Sequence, residues 1–315
     1  MGTTGGSRGV AALLAVAAAF LWATYYIFVL AISPATRPAA ILALPFVVGG
    51  LAYSGWAVAE REGAAYVRMW AQPEAWLRTG LLVTMQLSVL AATYLTGPVD
   101  ASLLSLIGDV VATPILVALL LGAHRAQIRS VWFALGLLLS LAGGSLTIAG
   151  GQRLAAIPPL GWLAVPAVPL SVAAYFLLAA RANEKFPSSA VVGQSMLASG
   201  LVTAVLAPAI PGGAAGLVPP DPISVVVLVA LGLTSFFLAP VLYFSAIRRA
   251  GYVLPPMLMT GIPVFTLLLS GIVLRLGLPF LAVLGIPVAV VGALLTFRGE
   301  TASEAPPVDR PGPTS

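Results

Sequence analysis

Long runs without a single formal charge constrain this chain more than any other feature. They occupy residues 9–36, 38–59, 79–99, 130–152, 154–180, 186–220, 222–247, 250–274 and 276–297, and each is at least 21 residues long. The hydrocarbon core of a bilayer is about 30 Å thick and takes about 20 apolar residues of α-helix. Each run can therefore cross once, and none holds two ordinary spans with a loop. A tenth apolar segment, 98–121, carries Asp100 and Asp109. The expected fold is all-α, a polytopic membrane protein with ten transmembrane helices. A membrane β-barrel is excluded, because barrel strands alternate apolar and polar residues and these runs are apolar throughout. A soluble domain is excluded by composition. Only 8% of the residues are charged and 60% are hydrophobic, against about 25% charged in an average soluble domain. The first run is too long for the roughly 7–15-residue core of a signal peptide, so it reads as a span.

Orientation follows from Lys and Arg, which concentrate in cytoplasmic loops. With the N-terminus inside, the cytoplasmic segments hold Arg8, Arg61, Arg68, Arg78, Arg125, Arg129, Arg181, Lys185, Arg248, Arg249, Arg298 and Arg310, and the outer ones only Arg37, Arg153 and Arg275. Both termini are expected in the cytoplasm, with the chain in the inner (plasma) membrane. Residues 1–8 form a short cytoplasmic N-terminus, and the polar, Pro-rich 299–315 a disordered cytoplasmic tail. The net charge of +5 does not point to nucleic acid, because the basic residues are scattered singly.

A shift of 149 superposes Tyr94 on Tyr243, Pro114 on Pro263, Gly122 on Gly271, Gly136 on Gly285, Gly143 on Gly292 and Thr147 on Thr296. Nearer the start of each half the shift drifts to 150, pairing Tyr25 with Tyr175. The chain reads as two halves of five spans, 9–149 and 160–298. Five is odd, so the second half enters the membrane inverted. Inverted repeats are typical of secondary transporters, whose site lies near mid-membrane between the halves.

With FLWATYYIFV opening the first span, TGPVDASLLS entering the fourth and GIPVFTLLLSGIVL in the ninth, the sequence resembles the drug/metabolite transporter superfamily, in particular its EamA-type members. The resemblance implies a monomeric ten-helix transporter with a central cavity built by both halves. It implies a small-molecule substrate (amino acids, related metabolites or drugs), often moved outward, with the lipid bilayer as the other partner. The Gly-Glu pair that members often carry late in the fourth and ninth spans is replaced here by Gly122-Ala123 and Gly277-Leu278.

Asp109, about mid-way along 98–121, reads as the one formal charge inside a span's core. A carboxylate there costs about 2.5–3.5 kcal/mol on insertion scales, so it is expected to face a cavity or another helix. Helical spacing places Ser102, Ser105, Asp109 and Thr113 on one stripe. Asp109 is either a carboxylate that binds a proton or a substrate amine, or a protonated side chain hydrogen-bonded to a neighbouring helix. Asp100, near the outer end, is expected to reach water. Gln86 and Gln194 are candidate cavity residues, because an amide is harder than a hydroxyl to satisfy on its own helix. Trp22, Tyr25, Tyr94, Tyr175 and Tyr243 are candidates for the same cavity or for the membrane interface. Gly136, Ser140 and Gly144 in the fifth span recur as Gly285, Ala289 and Ala293 in the tenth, small residues that allow close backbone approach, so these two helices are expected to pack together or to line equivalent contacts, away from the transport path.

There is no cysteine and no HExxH, GxSxG or Walker sequence, so no metal, cofactor or catalytic residue is expected. The functional expectation is a secondary transporter working by alternating access, most plainly an exporter, rather than an enzyme. The alternative is an intramembrane enzyme or ligand sensor without transport.

Overall fold

The computed structural model describes residues 4–32, 35–108, 112, 115–116, 129–151, 159–210, 212–250, 255, 258–277 and 280–303. Asp109, Thr113 and Pro114 lie outside them. The helices are α1 (Thr4–Ile32), α2 (Pro38–Ala59), α3 (Gly63–Trp70), α4 (Pro73–Thr96), α5 (Pro98–Ile107), α6 (Val131–Gly151), α7 (Pro159–Asn183), α8 (Ser188–Leu206), α9 (Pro222–Leu233), α10 (Ala239–Ala250), α11 (Gly261–Val273) and α12 (Phe280–Ser303). No strand occurs among the described residues. α12 continues through Ser303, past position 299 where the disordered tail is expected to begin.

By length and composition, five helices among the described residues are long and apolar enough to cross a membrane: Gly9–Ile32, Pro38–Ala59, Pro73–Thr96, Ser188–Ala209 and Pro222–Ala250. Shorter apolar helices are Pro98–Ile107, Val131–Thr147, Gly261–Val273 and Phe280–Thr296. The protein is a multi-pass membrane protein.

Local sequence sets the helix starts. Proline stands in the first turn of α2, α4, α5 and α9, where its missing N–H costs nothing and its fixed φ suits the helix. Asp221 caps α9, accepting the Ser224 N–H at 2.8 Å. Between α4 and α5 the chain reverses at Gly97, whose φ of 104° excludes most side chains. Between α9 and α10 the same long helix passes through one π-helical turn, Thr234–Leu238. Pro240 explains it. Its ring would clash with the carbonyl four residues back in an ordinary helix, and the wider turn makes room.

Helix pairing is close and ordered. α6 lies against α12, α2 against α8, α1 against α10 and α11, and α7 against α4 and α5. The α6–α12 seam runs backbone to backbone. A Cβ on Gly136 would come within 2.6 Å of the Gly292 carbonyl oxygen, and one on Gly285 within 2.5 Å of the Gly143 carbonyl oxygen. These two contacts exchange under the 149-residue shift, and Ser140, whose hydroxyl donates to the Ala289 carbonyl at 3.4 Å, sits at the crossing. Gly144 does not join this seam. A Cβ there would meet only Ile107, and Gly143 takes the contact. The α2–α8 pair behaves alike: Gly50 abuts Leu197, and Gly200 abuts Val47, an exchange at a shift of 150.

Candidate functional site

Between these helices lies a cavity of about 130 Å³. α1 contributes Trp22, Tyr25 and Tyr26; α4 contributes Leu82, Met85, Gln86 and Val89; α5 contributes Ser105. From the second half come Tyr175 and Phe176 of α7, Met196 of α8, Ser235 and Phe236 of the π-turn, Tyr243 and Phe244 of α10 and Ile262 of α11. The walls are mainly aromatic, and the rings meet edge to face: Trp22 on Tyr243 at 5.5 Å, Tyr25 on Phe236 at 5.3 Å. No charged side chain lines the cavity among the described residues.

The π-turn gives Ser235 and Phe236 their places. Ser235 donates to the Leu21 carbonyl at 2.8 Å, tying the turn to α1, while Phe236 packs between Tyr25 and Phe46. Next to Tyr25, Tyr26 donates to Ser105 at 2.9 Å, joining α1 to α5. Two polar atoms remain unmatched. The Tyr25 hydroxyl and Gln86 Oε1 are buried with no hydrogen-bond partner. A ligand with a polar group could satisfy both, in a site otherwise built for apolar surface.

Of the expected site residues, Trp22, Tyr25, Gln86, Ser105, Tyr175 and Tyr243 line this one cavity. Tyr94 does not; it is 38% exposed, further along α4. Asp109 and Thr113 lie outside the described residues. Gln194 is fully buried but in a different setting. Its Nε2 donates to Thr79 at 3.3 Å, and its Oε1 accepts from Arg78 Nη2 at 3.4 Å.

Arg78 is a correction to the sequence reading, which placed it in a cytoplasmic loop and left Asp109 as the only charge within a span. α4 begins at Pro73, so Arg78 is inside that helix, and it is only 1% exposed. Asp100 is a second correction. It is 2% exposed rather than solvated, in the first turn of α5, where a carboxylate is favoured by the helix dipole. Treating a charge as the edge of a span hid Arg78, and equating a place near the end of a span with contact with water hid Asp100. No group of three or more potential metal ligands occurs among the described residues.

Fold and site together define a helical membrane protein with a central, aromatic-walled cavity reached by both halves of the chain. Residues 159–298 match the EamA-like transporter family, part of the drug/metabolite transporter superfamily. A solved protein crystal structure is similar over 92% of this chain and 97% of its own, at 22% identity and a TM-score of 0.69, a likeness of fold. No curated protein matches the chain.

Proposed function

We propose that this protein is a secondary transporter that moves small metabolites, amino acids and related compounds or drugs, out across the inner (plasma) membrane by alternating access. The observation that carries the reading is the aromatic-walled cavity lined by seven helices drawn from both halves of the chain. In this reading there are ten spans, with α9 and α10 forming one of them and α3 lying outside the count. The two halves are inverted repeats. The exchanged contacts of α6 with α12 and of α2 with α8 support that arrangement. The protein acts as a monomer with both termini cytoplasmic, and no step requires a cofactor or a catalytic group.

Asp109 is assigned the coupling role. A carboxylate at mid-membrane is tolerated when water, a donor or a cation reaches it in some state. A proton affinity that differs between outward- and inward-open forms would let it exchange protons during the cycle. The test is transport by purified protein in proteoliposomes, screened across amino acids and cationic drugs with and without a pH gradient. We expect substrate flux that the gradient drives, and a folded Asp109→Asn variant that loses the gradient dependence. Gradient-driven flux at the original rate in Asp109→Asn would overturn the coupling role. No protein-dependent flux of any compound would overturn the transporter reading and favour a ligand sensor.

A further inference from the structure

The transport reading leaves one buried charge unused. Arg78 continues the α4 stripe that lines the cavity: Leu82, Gln86 and Val89 follow it at i+4, i+8 and i+11, so it stands one turn, about 5.4 Å, beyond the cavity wall. Tyr175, which lines the cavity, is close enough to interact with it electrostatically. Its Nη2 donates to Met69 Sδ at 2.9 Å and to Gln194 Oε1 at 3.4 Å, and its Nε has no partner. The Gln194 amide is itself fixed by Thr79, and Ser199 donates to the Thr79 carbonyl at 3.4 Å, so the guanidinium is held from both halves of the chain. Among the described residues no carboxylate comes within ion-pair distance of it; Glu74, one turn earlier, also interacts with it electrostatically, but from an exposed position. A buried cation without an anion is strongly disfavoured, and a guanidinium fork fits a carboxylate in the plane of its N–H groups.

We propose that Arg78 binds the carboxylate of the transported substrate, and that the substrates are carboxylic acids with an apolar or aromatic body, amino acids included. The assignment rests on the transporter reading. The aromatic cavity takes the body, and Arg78, steered by Gln194, takes the charged end when the wall between them opens.

The test compares acids with their amides, which share shape and differ in charge. Purified full-length protein is titrated with phenylacetate and L-phenylalanine, and with phenylacetamide and L-phenylalaninamide. Binding is read by thermal stabilisation, and flux is measured separately in proteoliposomes. We expect the acids to bind about tenfold or more tightly than the amides, the usual gain for a hydrogen-bonded charge. Arg78→Gln should erase that preference, and Arg78→Lys should keep part of it. Equal binding of acid and amide by the unmodified protein, a comparison that needs no variant, overturns the anion site and leaves transport standing. A lower melting temperature in Arg78→Gln with the acid preference intact shows a structural role and also overturns it. Displacement of the acids by equimolar chloride assigns the site to an inorganic anion instead. Binding of neither acid, with flux of cationic or neutral compounds retained, overturns the substrate class alone.

Discussion

Tyr25 and Gln86 show what single residues contribute to the cavity. Each keeps a polar atom buried and unmatched, which costs about 1–3 kcal/mol per group. Tyr25→Phe removes that cost along with the hydroxyl. We expect the ligand-free variant to melt at a higher temperature, by the equivalent of about 1–3 kcal/mol at most, and to bind substrate more weakly. Thermal unfolding with and without ligand checks both, and a lower melting temperature in the ligand-free form would show that the hydroxyl is already bonded. The aromatic and amide residues of this cavity are legible in sequence because in-span polar groups are few. Arg78 is not. Its burial depends on α8 supplying Gln194 from more than a hundred positions away, and hydropathy treats any arginine at the end of an apolar run as belonging to water.

At the level of helices, backbone contact fixes what each position tolerates. Gly136 and Gly285 face carbonyl oxygens across the α6–α12 seam, and backbone atoms cannot rotate away as a side chain tip can. Gly136→Ala or Gly285→Ala is expected to destabilise by about 1–3 kcal/mol through overpacking. Gly80→Ala on α4, with nothing within 4 Å, is expected to be neutral or stabilising. Melting temperatures of the three variants decide the matter; equal values would remove the seam from the account. The repeat of small residues was visible in the sequence, but its phase was not. Three- and four-residue steps leave Gly143 and Gly144 equally eligible, and only the partner helix selects Gly143. The π-turn was invisible for a related reason, since Pro240 announces a disturbance without saying whether the helix kinks or widens.

For the whole molecule the outstanding property is orientation. The proposed orientation, argued from the Lys/Arg bias, puts Lys185 in the cytoplasm and Ala215 outside. Both positions are exposed, and the chain has no other cysteine to confuse labelling. A membrane-impermeant thiol reagent applied to intact cells is expected to modify Ala215→Cys and to spare Lys185→Cys until the membrane is opened. The reverse pattern would invert the topology. The helical, membrane-crossing character of the fold could be read from charge-free runs alone, because the bilayer imposes a minimum length that composition makes visible. Which helices meet could not, apart from the fifth and tenth spans with their matching small residues, because every span offers its neighbours much the same apolar surface.

The paired contacts at Gly136–Gly292 and Gly143–Gly285 have the form of an isologous interface, the kind two identical subunits make about a two-fold axis. Here both members belong to one polypeptide. On the proposed inverted arrangement, an ancestor half as long, inserted in both directions across the membrane, would already have owned this seam as a homodimer. Fusion would then have freed each copy to change alone. On that arrangement the 149-residue shift sets Ser140 opposite Ala289 and Arg78 opposite Val227, a symmetric scaffold carrying one-sided chemistry.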